Sequence, residues 1–223
     1  MKDYLAKTRL IANDNFVIVQ NWQDEKAFVE YNELYNSKAN SKKSFTFMYM
    51  GNVGPTAGIE LLIDAFASAN LCNSSLVIAG SGSRKDSLMK HALEYNMETI
   101  QFWDVPDGKV PEIQAQADVM LLPIKKGASF SSFPSKLVSY MFSKKPIIGC
   151  TAGGSDIELA INLSNCGWVV PAENVESLRN AMQKVSKLPQ ADLCKLGLNG
   201  YVYAMNNLSK KNNLYKILDQ IIY

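Results

Sequence analysis

A single histidine, four scattered cysteines and no apolar run long enough to cross a membrane set the first limits on this 223-residue chain. His91 falls within a helical pattern with no Asp or Ser at catalytic spacing, so a surface or partly buried role is expected of it and not acid–base work. The cysteines, at 72, 150, 166 and 194, show no C-x-x-C spacing, which argues against a zinc ribbon, a redox motif or a disulfide frame. Three of them adjoin apolar segments and suit buried thiols in a reducing compartment. No cluster of His, Cys, Asp or Glu suggests a metal, and no cofactor is expected. Met1 is followed by Lys2 and Asp3 with no apolar leader, and no later segment reaches the ~18 apolar residues of a span. A cytoplasmic location is expected, with peripheral attachment at the inner face of a membrane left open. The net charge of +2 is small and lysine pairs such as those at 42–43, 144–145 and 210–211 are scattered along the chain, which argues against nucleic acid.

What is present is an ordinary globular composition, 47% hydrophobic and 20% charged, enough for one large α/β domain and an appendage. Apolar strand-like runs at 45–50, 75–79, 100–103, 119–122, 146–149 and 167–170 alternate with helical patterns at 58–70, 84–95, 110–117, 134–143, 156–162 and 175–187. Continuous apolar strands separated by helices imply a parallel sheet covered on both faces. The expected fold is therefore α/β, a doubly wound Rossmann-like sheet over residues 44–207. Residues 1–43 hold one strand, 16–19, and then a polar run resembling an interdomain linker. A helix over 208–222 is expected to lie outside the sheet's own layers, as an extra C-terminal element.

Ligands of open parallel sheets bind beyond the carboxyl ends of the strands, so the loops there are the candidates. The most telling is the segment Leu121 to Cys150, in which Pro134, Ser135 and Lys136 stand where a loop becomes a helix. A helix start carries unpaired N–H groups and partial positive charge, so a lysine there is a poor structural choice and a good anion ligand. Gly51-Asn52-Val53-Gly54 fits either a tight βα turn or a loop whose glycines let backbone approach phosphate. Gly80-Ser81-Gly82 is equally placed. Trp103-Asp104-Val105 ends a strand where an aromatic could hold a planar base, and a Trp at the core edge fits as well. Asp118 reads as a turn residue. Asp156 and Glu158 suit the start of a helix after Gly153-Gly154-Ser155.

In order, these segments resemble the C-terminal, nucleotide-sugar-binding domain of family-4 glycosyltransferases of the GT-B fold (glycosyl transferases group 1). The resemblance runs from about Asn21 to the end and is carried by FMYMGNVGPTAGIELLIDAF from Phe47, LVIAGSGSRKDSL from Leu76, the A-D-V-M-L-L-P pattern ending at Pro123, PSKLVSYMFSKKPII from Pro134, and CGWVVPAENVESL from Cys166. VIVQNWQDEKAF, from Val17 to Phe28, is similar to the interdomain segment of that family. The resemblance implies a nucleoside diphosphate sugar as donor, a saccharide or lipid-linked acceptor, retention of configuration, and a second, N-terminal acceptor-binding domain that these residues do not contain. It implies that Gly51, Asn52, Gly54, Ser135 and Lys136 meet the diphosphate, with Lys136 stabilising departing charge without a metal, and that Trp103, Val105 and Ser139 face the base and ribose. Many members carry a pair of glutamates where this chain has Ser131 and Ser139, and Arg and Lys where it has Asn52 and Ala57. The other reading is a non-catalytic nucleotide-binding or interaction module derived from the same fold.

Overall fold

The computed structural model describes residues 19–35, 44–95, 98–126, 134–219 and 221. Six strands, β1 (Phe45–Met50), β2 (Ser74–Ala79), β3 (Ile100–Trp103), β4 (Val119–Pro123), β5 (Ile147–Thr151) and β6 (Gly167–Pro171), form one sheet in the order β3-β2-β1-β4-β5-β6, and every pairing is parallel. The expected doubly wound, Rossmann-like sheet is the one observed. Because successive strand residues point to opposite faces, β1 divides between two cores. Phe47 and Tyr49 pack under α2 (Ile59–Ala69), α3 (Lys85–Leu93) and α7 (Val175–Val185). Met48 and Met50 pack on the other face, under α4 (Val110–Gln114), α5 (Ser135–Phe142) and α6 (Asp156–Ser164).

Local chemistry sets several of the boundaries. Ser155 caps α6 by accepting from Glu158 N at 3.2 Å, and the Glu158 carboxylate accepts from Gly154 N at 2.6 Å, so the acidic helix start is used as its sequence suggests. Asp118 Oδ2 accepts from Thr46 N at 2.8 Å and holds the start of β1, a structural task. His91 of α3 faces α2, with Nε2 2.6 Å from Asp64 Oδ1, an oxygen that also accepts from Tyr95 at 2.9 Å. Of the cysteines, 150 and 166 are buried, and burial pushes their thiols up to about 12 and about 11. Cys72 and Cys194 are exposed, so two of the cysteines are buried where three were expected to be.

Two helices depart from the sequence reading. The polar run after Asn21 contains α1 (Lys26–Tyr35), whose Phe28 is buried with its ring 5.9 Å from that of Phe142. A single apolar anchor is too sparse for periodicity to register. The other is α8 (Gln190–Asn207), absent from the sequence reading, which buries Leu193, Gly197, Gly200 and Ala204 at spacings of four, three and four. This stripe is helical in period but built from small residues, so a search for large apolar side chains misses it. Close approach explains the choice: a Cβ on Gly197 would collide with the Lys144 carbonyl oxygen, and one on Gly200 would lie 2.9 Å from Cys166 Cβ. The final helix, α9 (Lys210–Leu218), is shorter than expected. The candidate strand at 16–19 lies outside the described residues except for Val19. No helix among the described residues is long and apolar enough to cross a membrane.

Candidate functional site

The strand order places the switch point between β1 and β4, where ligands of open parallel sheets bind. Pairing between those strands covers only Phe47 with Val119 and Met48 with Met120, although both strands continue, so the two part after Met48. The N–H and C=O of Met50 that would face β4 are taken instead by Tyr140 of α5: its hydroxyl accepts from Met50 N at 2.9 Å and donates to Met50 O at 2.8 Å. Burial holds the Tyr140 phenol far above its ordinary range, so it remains a neutral donor and acceptor. One side chain thus ends the ladder and opens the crevice.

Tyr140→Phe should leave both Met50 backbone groups buried and unpaired. The expected loss is about 2 kcal/mol, since each such group costs ~1–3 kcal/mol when orphaned. A fall in melting temperature of roughly 4–8 °C by calorimetry checks this; an unchanged melting point would show that strand and helix are held together by other contacts.

A cavity of about 270 Å³ occupies the crevice, lined among others by Gly51, Gly80, Val105, Gln114, Ser135, Lys136 and Ser139. On one side the N-terminus of α5 presents Ser135 and Lys136 after Pro134, whose extended backbone starts the helix without a side-chain cap. Lys136 lies directly across Gly51, where a Cβ would collide with its Cε. Its ammonium stands 5.7 Å from the centroid of the Tyr49 ring, and burial holds its pKa below the usual lysine range. The glycine loops after β1 and β2 are fastened to each other: Gly51 N donates to Ala79 O at 2.9 Å, Val53 N to Ser81 O at 2.8 Å, and Arg84 N to Val53 O at 3.1 Å.

On the other side Ser139 is buried and tied to Gln114. Gln114 Nε2 donates to Ser139 Oγ at 2.8 Å, while Gln114 Oε1 accepts from Ser139 Oγ at 3.1 Å and from the Ser143 hydroxyl. The crevice therefore joins a cationic, glycine-floored end to a neutral, amide-lined end, an arrangement suited to a molecule with an anionic part and an uncharged polar part.

Of the residues singled out in the sequence, Gly51, Ser135, Lys136, Val105 and Ser139 meet at this cavity. Asn52, Gly54 and Trp103 stand behind its lining. Asn52 is exposed and its amide fills the space between Gly54 and Gly82, while the Trp103 indole donates to Gln101 Oε1 at 3.0 Å. Ser131 lies outside the described residues. Sequence reasoning missed Gln114, Tyr140 and Gln23, and gave Gly80 no more weight than its neighbours. A glutamine within an otherwise apolar helix stripe was the available signal for Gln114. A larger depression of about 540 Å³ lies at the opposite, amino end of the strands, between Ser44, Asn70, Cys72, Asp118 and Lys187. It is remote from the switch point and from the start of α5.

Comparison with known proteins shows the family and the fold. The sequence pattern of Glycosyl transferases group 1 matches residues 31–201. "Probable glycosyltransferase WbjE" of Pseudomonas aeruginosa is 26% identical over 201 residues, covering 86% of this chain and 48% of WbjE. "Putative colanic acid biosynthesis glycosyl transferase WcaI" of Escherichia coli (strain K12) is 24% identical over 220 residues, covering 95% of this chain and 52% of WcaI. Among solved structures, Anabaena HepE in complex with UDP and glucose superposes with a TM-score of 0.72 at 16% identity, over 94% of this chain and 58% of that one. The chain spans about half the length of the curated relatives it matches.

Proposed function

Because this chain belongs to the group 1 glycosyl transferases, we propose that it is the donor-binding half of a GT-B enzyme that moves a hexose from a nucleoside diphosphate sugar to a saccharide or lipid-linked acceptor in polysaccharide or glycolipid assembly. The observation that carries this reading is Lys136 at the start of α5, lying over Gly51 at the switch point of the sheet. The diphosphate would sit against Gly51, Gly80, Ser135 and Lys136, and the nucleoside against Val105 and the Gln114–Ser139 pair. Asn52 and Gly54 would shape the phosphate loop from behind, and Trp103 would support the loop that carries Val105. As the anomeric C–O bond breaks, the bonding pair leaves with the diphosphate, and the acceptor hydroxyl forms the new bond and passes its proton to the departing diphosphate oxygen. Lys136 and the helix N-terminus would stabilise the departing charge without reorganising, which is electrostatic preorganisation. Retention of configuration belongs to the same proposal.

The acceptor would be held by a second domain across the cleft. In that arrangement residues 44–207 are the nucleotide-sugar body, and the described parts of the flanking segments, 19–35 and 208–219, lie on the side of the junction. Leu214, Tyr215 and Leu218 of α9 are substantially exposed there, in keeping with a further contact, whereas Phe28 is committed to this domain's own core. Nucleoside diphosphate binding by the 223-residue chain and sugar transfer only when an acceptor domain is supplied in cis or in trans are the expected results, using labelled donor and lipid-linked acceptors. Transfer by these residues alone would contradict the division of labour, and failure to bind any nucleoside diphosphate would favour a non-catalytic module.

A further inference from the structure

Gln23 lines the cavity although it comes from the segment before the sheet domain, far from every loop that the strand order brings to the switch point. Its backbone is fixed independently of any ligand. Gln23 N donates to Leu208 O at 3.3 Å, Lys210 N donates to Gln23 O at 3.2 Å, and the residue bridges in parallel with Ser209 between α8 and α9. Beside it, Lys210 N donates to Glu25 at 2.9 Å and Lys210 Nζ pairs with Asp24 at 3.0 Å. The chain then enters α1, which packs on α4 and anchors Phe28 on Phe142. Gln23 thus shares the cavity lining with Val110 and Gln114, and the helix that follows it packs on α4.

One atom of this side chain is unexplained by the fold. Gln23 Oε1 is buried and has no hydrogen-bond partner among the described residues. Buried polar atoms are nearly always paired, and an orphan beside a cavity calls for a donor from the occupant. The terminal torsion of glutamine is soft, so the amide can turn to present this oxygen to an occupant of the cavity. An amide oxygen accepts from neutral O–H or N–H groups, and a diphosphate ionised at neutral pH offers none.

Resting on the donor-site reading above, we infer that Gln23 is a nucleoside-binding residue whose amide oxygen accepts a hydrogen bond from a ribose hydroxyl or a base imide N–H. Together with Gln114 it makes the nucleoside end of this site a pair of neutral amides. The segment before the sheet thereby takes part in donor recognition and does not merely connect domains.

Calorimetric titration of the full chain with UDP, 2′-deoxy-UDP, N3-methyl-UDP and inorganic pyrophosphate tests this. Gln23→Leu, of similar size and without the amide, should weaken UDP binding about tenfold, the equivalent of about 1.4 kcal/mol, and leave pyrophosphate binding unchanged. One of the modified nucleotides should bind the parent weakly and bind Gln23→Leu no more weakly than UDP does; that arm identifies the ribose or the base as the source. Gln23→Met repeats the measurement should the leucine variant melt lower than the parent. UDP bound equally by parent and both variants would overturn the inference while leaving the donor site standing. Absence of binding by the parent to UDP, GDP and ADP alike would remove both.

Discussion

Lys136→Ala is expected to lower affinity for nucleoside diphosphates by roughly 10- to 100-fold. A hydrogen bond to a charged group contributes ~1.5–3 kcal/mol, and each 1.4 kcal/mol is tenfold. The effect should be large because the ammonium is half-buried and held close to the glycine floor, where Gly51 leaves room for it and for little else. At 100 times the dissociation constant, ligand should stabilise the parent by about 2.7 kcal/mol, and the variant should lose most of that stabilisation. The pH dependence has a definite sign. Burial lowers the pKa of free Lys136, and a bound phosphate raises it again, so affinity is constant below the free-state pKa and falls as pH rises through it. The fall should begin at lower pH than for an exposed lysine and vanish in Lys136→Ala. Equal affinities and equal pH profiles in parent and variant would remove Lys136 from the site.

Gly80→Ala is expected to be the most destabilising of the single-methyl changes at the crevice. Gly80 has φ of +132°, and a Cβ there would collide with the backbone oxygen of Gly51. A flexible side chain could swing aside, but a carbonyl in a fastened loop cannot. Strain of ~1–3 kcal/mol for the backbone and ~1–3 kcal/mol for overpacking suggest a loss of about 3 kcal/mol, seen as a drop in melting temperature of roughly 6–12 °C. Nucleotide binding should weaken too, since Gly51 must shift. By contrast, Gly108→Ala should be far milder, because no atom lies within 4 Å of a Cβ there and only its φ of +75° opposes the change. Similar melting points for the two variants would show that the two glycine loops are not mechanically joined.

The sheet was legible because its signal is dense. Each strand is a run of apolar residues bounded by turn chemistry, and the helices between them carry large residues at helical spacing. The elements missed, α1 and α8, have the opposite character. One is a polar helix held by Phe28, and the other a helix whose buried stripe is Leu193, Gly197, Gly200 and Ala204. Their existence depends on what they pack against, and local sequence does not report that. The site divides in the same way. Ser135 and Lys136 announce themselves through a helix start, whereas Tyr140 resembles any buried aromatic until its hydroxyl is seen on the Met50 backbone. Gln23 could be placed only by contacts with Leu208 and Lys210, nearly the whole chain away.

The central claim is that a nucleoside diphosphate binds between β1 and β4 with its phosphates at the start of α5. Amide NMR of the isotopically labelled chain during titration with UDP tests it most directly. The account predicts saturable shifts at Gly51, Gly80, Val105, Ser135 and Lys136, with Asn70, Cys72 and Lys187 at the opposite end of the sheet unmoved. Shifts confined to that opposite depression, or none with UDP, GDP or ADP at saturation, would contradict it.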